Sequence, residues 1–410
     1  MSKPRVLLTT TAYPPSEGGV QAHVKELRER LARYEADVAT LWLKTRRDWL
    51  LGSTLRLGRP VGPDSTPGVH RLGWSRGTRA RMAPWTLAYY ANPALMAGRI
   101  SALMLSDLEQ IVRPDHVLIH NHRIGREFLA QASLAVARRR GLPFVLTPHH
   151  HPKWQGFRYQ GWIDVYRGAD AVLVLTQAEM SELQRLGVRA ERLHLIGGAA
   201  DDPLPANPDR FRNGLSAVGR PLVLFVGQLY QYKGVAELLA AVEALNARGI
   251  SADLAFLGSE TSFSRRFFSR RAHPWLHVLG SVDDQTKWDA IEAASVVCLP
   301  SRHEAFGRVY LEAWSKGKPV VGGRIPAVME VVAEGENGLL VDPTSAEEIA
   351  RALEALLTDP LLATKLGEQG RRTVAERYTW DKVVGRIEAV YDSLLTPPPR
   401  PRRPLARMPK

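Results

Sequence analysis

The chain reads as α/β, built from two mostly parallel doubly wound domains whose strand ends face each other across a cleft. Three observations predict this. Short apolar runs of strand length alternate with helix-period segments through both halves of the 410 residues. A stretch within 197–219, rich in proline and glycine, interrupts the periodicity near the middle. Four loops bearing candidate chemistry, after Thr10, Thr147, Val226 and Leu299, all fall at carboxyl ends of predicted strands, two in each half. Open α/β sheets bind ligands at such ends.

In chain order, Arg5–Thr10 is a strand and Pro14–Gly19 a loop, after which Val20, Val24, Leu27 and Leu31 recur at helical spacing. A strand, a glycine-bearing loop and a helix form an arrangement that lets backbone N–H groups approach an anion, although a plain turn has the same sequence. Further strands are predicted at Asp37–Leu41, Val117–Ile119, Pro143–Thr147, Ala171–Leu175 and Arg192–Ile196, with helices at Phe128–Arg140 and Gln177–Leu186. His120 and His122 are expected after one strand, and His149, His150 and His151 after another. Imidazole is a common metal ligand. Three consecutive histidines do not easily converge on one ion, and no Glu or Cys stands at ligand spacing. The expectation is no metal, with one strand-end histidine hydrogen bonding a substrate.

A second unit begins near Arg220, with strand Leu222–Val226, loop Gly227–Gly234 and helix Val235–Ala247. The loop lacks Walker spacing, but Lys233 lies just before a helix N-terminus, where cation and helix dipole act together on a phosphate. Strands at Ala252–Leu257, Leu276–Leu279, Ser295–Leu299, Pro319–Val321 and Gly338–Val341 continue the alternation. After Leu299 come Glu304, Phe306–Gly307 and a short helix carrying Glu312, closed by Gly317 and Pro319. Two carboxylates thus flank the start of one helix. They would repel a phosphate, so they suit hydroxyls. A last helix is predicted at Trp380–Leu395.

Composition is that of an ordinary globular protein, 45% apolar and 24% charged. No run approaches a membrane span, and the apolar stretch near Met1 is short for a secretory signal, so the expected location is cytoplasmic. The single cysteine, Cys298, sits in an apolar run and reads as a small hydrophobe. The net charge is +13. Five of these charges, from Arg400 to Lys410, lie in the proline-rich tail 396–410, expected to be disordered. Lys44–Trp85 is also basic, with Trp49, Leu50, Leu51, Trp74 and Trp85 interleaved. That composition suits an anionic membrane surface, single-stranded nucleic acid, or a solvated face over core tryptophans. No nucleic-acid module is recognisable, so no specific nucleic-acid partner is expected.

Over roughly Arg5–Leu395 the chain resembles the retaining glycosyltransferases of family four, with two facing Rossmann-like domains, the GT-B fold. The segments carrying the resemblance are PPSEGGVQAHV, LTPHHHP, FVGQLYQYKG, EGENGLLVDP and, most specifically, the two-glutamate signature PSRHEAFGRVYLEAWSKGKPVV. The resemblance implies an N-terminal acceptor-side domain at 1–198, a nucleotide-sugar domain at 199–379, and helix 380–395 packing back on the first. It implies transfer, with retention, from a nucleotide-diphosphate-sugar donor to a hydroxyl acceptor, without a cofactor. Glu304, Lys233 and His149 take the catalytic positions. Gly18, Gly19, Gln228, Phe306, Gly307, Arg308, Val309 and Glu312 take the donor-binding ones. Gln228 stands where the family usually has arginine and lacks its charge; Arg308 is the expected helper. Lipid-linked, polysaccharide and other glycoconjugate acceptors are expected, and an anionic membrane surface is a candidate partner. Two rival readings stay open: a noncatalytic basic membrane or nucleic-acid adaptor that keeps the fold, and a phosphorylase or epimerase of the same fold.

Overall fold

The computed structural model describes residues 3–16, 18–41, 62–64, 66–123, 125–150, 160–215 and 219–396. Lys44, Arg46, Arg47, Trp49, Leu50, Leu51, Arg56 and Arg59 of the basic segment, His151, and the tail 397–410 lie outside these residues.

The strands are β1 Arg5–Thr10, β2 Glu35–Leu41, β3 Gly62–Pro63, β4 Val69–Leu72, β5 His116–His122, β6 Phe144–Thr147, β7 Ala171–Val174 and β8 Leu193–Leu195 in the first half. The second half holds β9 Leu222–Val226, β10 Asp253–Leu257, β11 Leu276–Gly280, β12 Val296–Leu299, β13 Val320–Gly323 and β14 Leu339–Val341. They form two sheets, in orders β3-β4-β2-β1-β5-β6-β7-β8 and β11-β10-β9-β12-β13-β14. All pairs are parallel except β3 with β4. The helices are α1 Gly19–Arg30, α2 Arg76–Ala88, α3 Pro93–Ile111, α4 Phe128–Arg140, α5 Gln160–Gly168, α6 Gln177–Arg185, α7 Pro208–Leu215 and α8 Val235–Ala247, then α9 Ser262–Phe268, α10 Asp284–Ala293, α11 Arg308–Ser315, α12 Pro326–Met329, α13 Ala346–Thr358, α14 Pro360–Arg377 and α15 Trp380–Leu395. This is the doubly wound α/β architecture that the alternation predicts. Strands such as β7 (AVLV) and β12 (VVCL) are buried throughout because helices cover both sheet faces.

One expectation needs correcting. His120 and His122 do not follow a strand: β5 runs through them, pairing His122 with Thr10 on one side and Thr147 on the other. At His120 the buried imidazole is tolerated because both ring nitrogens find partners. His120 Nδ1 meets Tyr391 Oη at 2.6 Å and its Nε2 meets Thr147 Oγ1 at 2.8 Å. In the basic segment Trp74 is core, and Trp85 is half-buried beneath the Arg99 guanidinium. No helix of the described residues is long and apolar enough to cross a membrane.

The C-terminal α15 returns to the first half and packs on α1. Buried Glu388 accepts hydrogen bonds from the backbone N–H groups of Ala32 and Arg33 at 2.8 and 2.7 Å, and Tyr34 Oη donates to Asp392 at 2.6 Å. This topology positions the site. In the first sheet the winding reverses between β1 and β5; in the second it reverses between β9 and β12. Loops leaving those strands must diverge, which opens a crevice at each reversal.

Candidate active site

The loop after β9 makes a short 3₁₀ turn, Gln231–Lys233, and Gly234 at φ 77° turns it into α8. Only glycine fits: a Cβ there would lie 2.2 Å from the Pro300 carbonyl oxygen. The close approach sets the β9 and β12 loops side by side. Lys233 Nζ consequently bonds Glu304 Oε1, across 71 residues of sequence, and Ser301 Oγ donates to the same oxygen at 3.0 Å. Both side chains are largely buried, at 16% and 11% exposure. Gln228 is half-buried in the same loop.

Helix α11 begins at Gly307, which has φ 89° and no side-chain cap, and no acid occupies the first turn. Helix α1 begins likewise, with Gly18 at the cap and Gly19 as first residue, and no acid in its first turn. Uncapped first-turn N–H groups carry partial positive charge. Arg308 ties the two termini together: its Nη1 donates to the Gly19 carbonyl at 3.1 Å and its Nη2 pairs with Asp201. Phe306 and Val309 point inward. The Phe306 ring is buried edge-on to Tyr378 at 5.5 Å, and Val309 belongs to the core. Their side chains are committed to packing, which leaves the backbone as their route to a ligand.

Glu312 is buried on α11 and accepts from Lys287 Nζ of α10 at 3.3 Å. Burial raises the Glu312 pKa, against the pull of Lys287 and Arg308. Burial works against the charge on Lys287, but Glu312, Asp201 and Asp284 outweigh it, and its pKa is raised. Lys287 is therefore held as an ammonium ion. Nothing in its sequence context singled it out; its place on a helix beside the two-glutamate segment emerges only from the fold.

The histidines separate into two groups. His149 adopts φ 41°, a left-handed conformation rare for a non-glycine residue, so it and its neighbour turn to opposite sides. His150 faces the body of the first unit: its N–H donates to Glu179 at 2.5 Å and its Nδ1 lies 3.2 Å from Tyr166 Oη. The His149 ring instead lies 5.4 Å from that of His23 and 6.0 Å from that of His122. Burial lowers His149 to about 3, with Arg308 and Arg123 adding to it. His23 and His122 are pushed well below the usual range, again chiefly by burial. His23 is on the buried face of α1 with Val24 and Leu27, a position visible in the helical spacing.

The two units also meet at Glu330, whose carboxylate accepts from the Gln177 and Ala178 N–H groups at the start of α6, at 2.5 and 2.6 Å. Beside this contact a pocket of about 180 Å³ opens onto Glu304. It is lined by His150, Glu179 and Arg185 from the first unit and by Arg302 and His303 from the second. Burial raises the Glu179 carboxyl to about 7. The lone Cys298 thiol is buried in β12, pushed up by that burial and inert.

Residues 18–199 match the family described as "Glycosyl transferase 4-like domain", and residues 207–373 match "Glycosyl transferases group 1". Among curated proteins, the chain is 26% identical to the alpha-maltose-1-phosphate synthase of Mycolicibacterium smegmatis, over 94% of this chain and 98% of that one. It is 27% identical to the D-inositol 3-phosphate glycosyltransferase of Xylanimonas cellulosilytica, over 95% and 96%. Among solved structures, sucrose-phosphate synthase from Thermosynechococcus elongatus superposes with a TM-score of 0.71 at 21% identity, covering 96% of this chain and 99% of that one. HepE of Anabaena in complex with UDP and glucose gives 0.71 at 17%, covering 95% and 100%.

Proposed function

The chain belongs to the family-four glycosyltransferases of GT-B fold, and on that premise we propose that it transfers a sugar, with retention, from a nucleotide-diphosphate sugar bound between the two switch points. One observation carries the reading. Lys233 pairs with Glu304, Glu312 lies on α11, and Arg308 joins the uncapped start of that helix to the uncapped start of α1.

Cleaving the bond between sugar and diphosphate puts charge on the departing phosphate. Groups fixed in advance around that charge lower the barrier without reorganising. Lys233 and the N–H groups of α11 fill this role, with those of α1 across the cleft. Gln228 supplies an amide where a guanidinium would be stronger, and Arg308 is near enough to contribute charge. In this reading Glu304 accepts from donor-sugar hydroxyls once phosphate draws Lys233 away from it. Glu312, its carboxylate oriented by Lys287, accepts from ribose hydroxyls. His149 meets the sugar from the first unit. The pocket beside Glu304 is the entry for the acceptor hydroxyl.

The test is a melting-temperature panel of nucleoside diphosphates and nucleotide sugars on the full chain. A ligand at about 100 times its Kd adds ~2.7 kcal/mol of stability, so the correct nucleotide stands out. No response to any of them removes the donor site.

A membrane-bound acceptor and a cytoplasmic location at the inner face of the membrane are the finer reading. It is supported by the edge formed by α2, α3 and their connection. There Leu87 is 71% exposed, Tyr90 47% and Leu95 49%, and Arg76 and Arg81 on α2 are exposed as well. Apolar side chains among arginines suit an anionic surface. Liposome flotation at low salt should show binding that needs anionic lipid; equal recovery with neutral lipid counts against it.

A further inference from the structure

The consecutive histidines His149–His151 do not easily share one ion. The structure brings together a different trio. His23 comes from the buried face of α1, His122 from the end of β5 and His149 from the turn after β6. One ring nitrogen from each lies within 4.8 Å of the others.

Three further facts concern this trio. First, Nε2 of His23, Nε2 of His149 and both ring nitrogens of His122 are buried without a hydrogen-bond partner among the described residues. Buried polar atoms normally have partners, so unmatched nitrogens on three neighbouring rings point to a missing ligand. Second, packing orients the rings. The His122 ring lies tilted against that of His120 at 4.1 Å, and His120 is itself fixed by Tyr391 and Thr147. His23 packs on Trp380 of α15 at 5.2 Å. Third, neutral imidazoles keep the lone pairs that a metal needs.

We propose that His23, His122 and His149 form a three-imidazole site for one divalent transition ion of the zinc or cobalt class. Imidazole-only ligation favours such borderline ions over magnesium or calcium, which take oxygen. Tetrahedral zinc–nitrogen bonds of about 2.05 Å place the nitrogens ~3.4 Å apart. The rings therefore have to close by no more than about 1.4 Å, within reach of side-chain rotation. Three protein ligands leave a fourth position for water or a substrate hydroxyl. Arg308 and Arg123 bring positive charge nearby; Arg308 is paired with Asp201, which offsets part of it.

The ion is not part of the transfer chemistry proposed above. It would occupy His149 and thereby inhibit, a consequence that rests on the sugar-contact reading of that residue. Binding itself does not rest on it.

The probe is cobalt(II) alone, added to the full-length chain, followed by its visible absorption and by equilibrium dialysis. We expect one ion per chain with the intense band of tetrahedral nitrogen ligation, displaced by zinc. His23→Asn and His122→Gln should each weaken binding at least tenfold while leaving the nucleotide melting shift in place, which shows that the variants are folded. A wild-type spectrum that stays octahedral overturns the proposal even if a variant fails to fold. So does affinity unchanged in His122→Gln, because the ion then sits on other histidines. Nucleotide binding without cobalt binding removes the metal site and leaves the donor reading intact.

Discussion

Replacing Gly234 with alanine tests how Lys233 is positioned. Gly234 stands at φ 77°, and a Cβ there would meet the Pro300 carbonyl oxygen at 2.2 Å and Pro300 Cγ at 2.7 Å. The left-handed backbone costs a non-glycine residue about 1–2 kcal/mol. The Cβ contact cannot be relieved by a side-chain rotation, since its partner is backbone. The β9 and β12 loops must part by roughly 1 Å, and overpacking of this kind costs ~1–3 kcal/mol more. The sum, about 2–5 kcal/mol, is a large share of a typical folding stability of ~5–15 kcal/mol. Lys233 immediately precedes Gly234 and Glu304 follows Pro300 by four residues, so the same movement separates the ammonium from the carboxylate. A displacement of ~1 Å near reacting groups costs on the order of a hundredfold in rate. Gly249→Ala is the control: its φ is 86°, but no atom lies within 4 Å of the added Cβ, so it bears the backbone cost alone. Melting curves with and without nucleotide should show the larger depression, and a diminished ligand shift, in Gly234→Ala. Equal depressions and equal ligand shifts in the two variants would refute the argument from close approach.

Acid should destabilise the protein through its buried histidines. Burial depresses His23 and His122 well below the ordinary range, and His120 and His149 to about 3. The unfolded chain takes up protons near pH 6.5 and the folded one does not. Stability is thus fully present above about 6.5 and falls as the pH drops toward ~3, by up to about 1.4 kcal/mol per pH unit for each histidine. A melting temperature unchanged between pH 7.5 and about pH 5 would contradict neutral burial of the group. Glu330→Ala removes two hydrogen bonds that the start of α6 donates across the two units. The expected penalty on the contact between the two units is ~1–3 kcal/mol, read as weaker nucleotide-sugar affinity by calorimetry. Unchanged affinity would show that donor binding does not depend on this contact.

Where glycine and proline punctuate the chain, its fold was legible. Gly307, Gly317 and Pro319 bracket α11, the spacing placed α4 and α8 at the bounds observed, and the expected last helix coincides with α15. The helices α2 and α3 are masked in the sequence by the arginines and tryptophans of that region, whose composition suggests a basic face. Their buried stripe, Met82, Met96, Ile100, Met104 and Leu108, was present in the spacing. The extent of β5 was hidden because the partners that make buried His120 tolerable come from elsewhere; Tyr391 is 271 residues from it. The two glutamates were visible as a pair, but their lysines were not equally so. Lys233 stood before a helix, whereas Lys287 is defined only by its reach from α10 to Glu312 on α11. Nor did the sequence reveal that a left-handed turn at His149 would send consecutive histidines to opposite sides.

The central claim is that Lys233 stabilises charge on a departing diphosphate. Its most direct test is single-turnover release of nucleoside diphosphate by Lys233→Ala, using the donor selected by the melting panel. Removing one fixed charge-stabilising group typically costs about 10²–10³-fold in rate. The account predicts a loss of that size in a variant that still melts cooperatively. Release near the wild-type rate would contradict it.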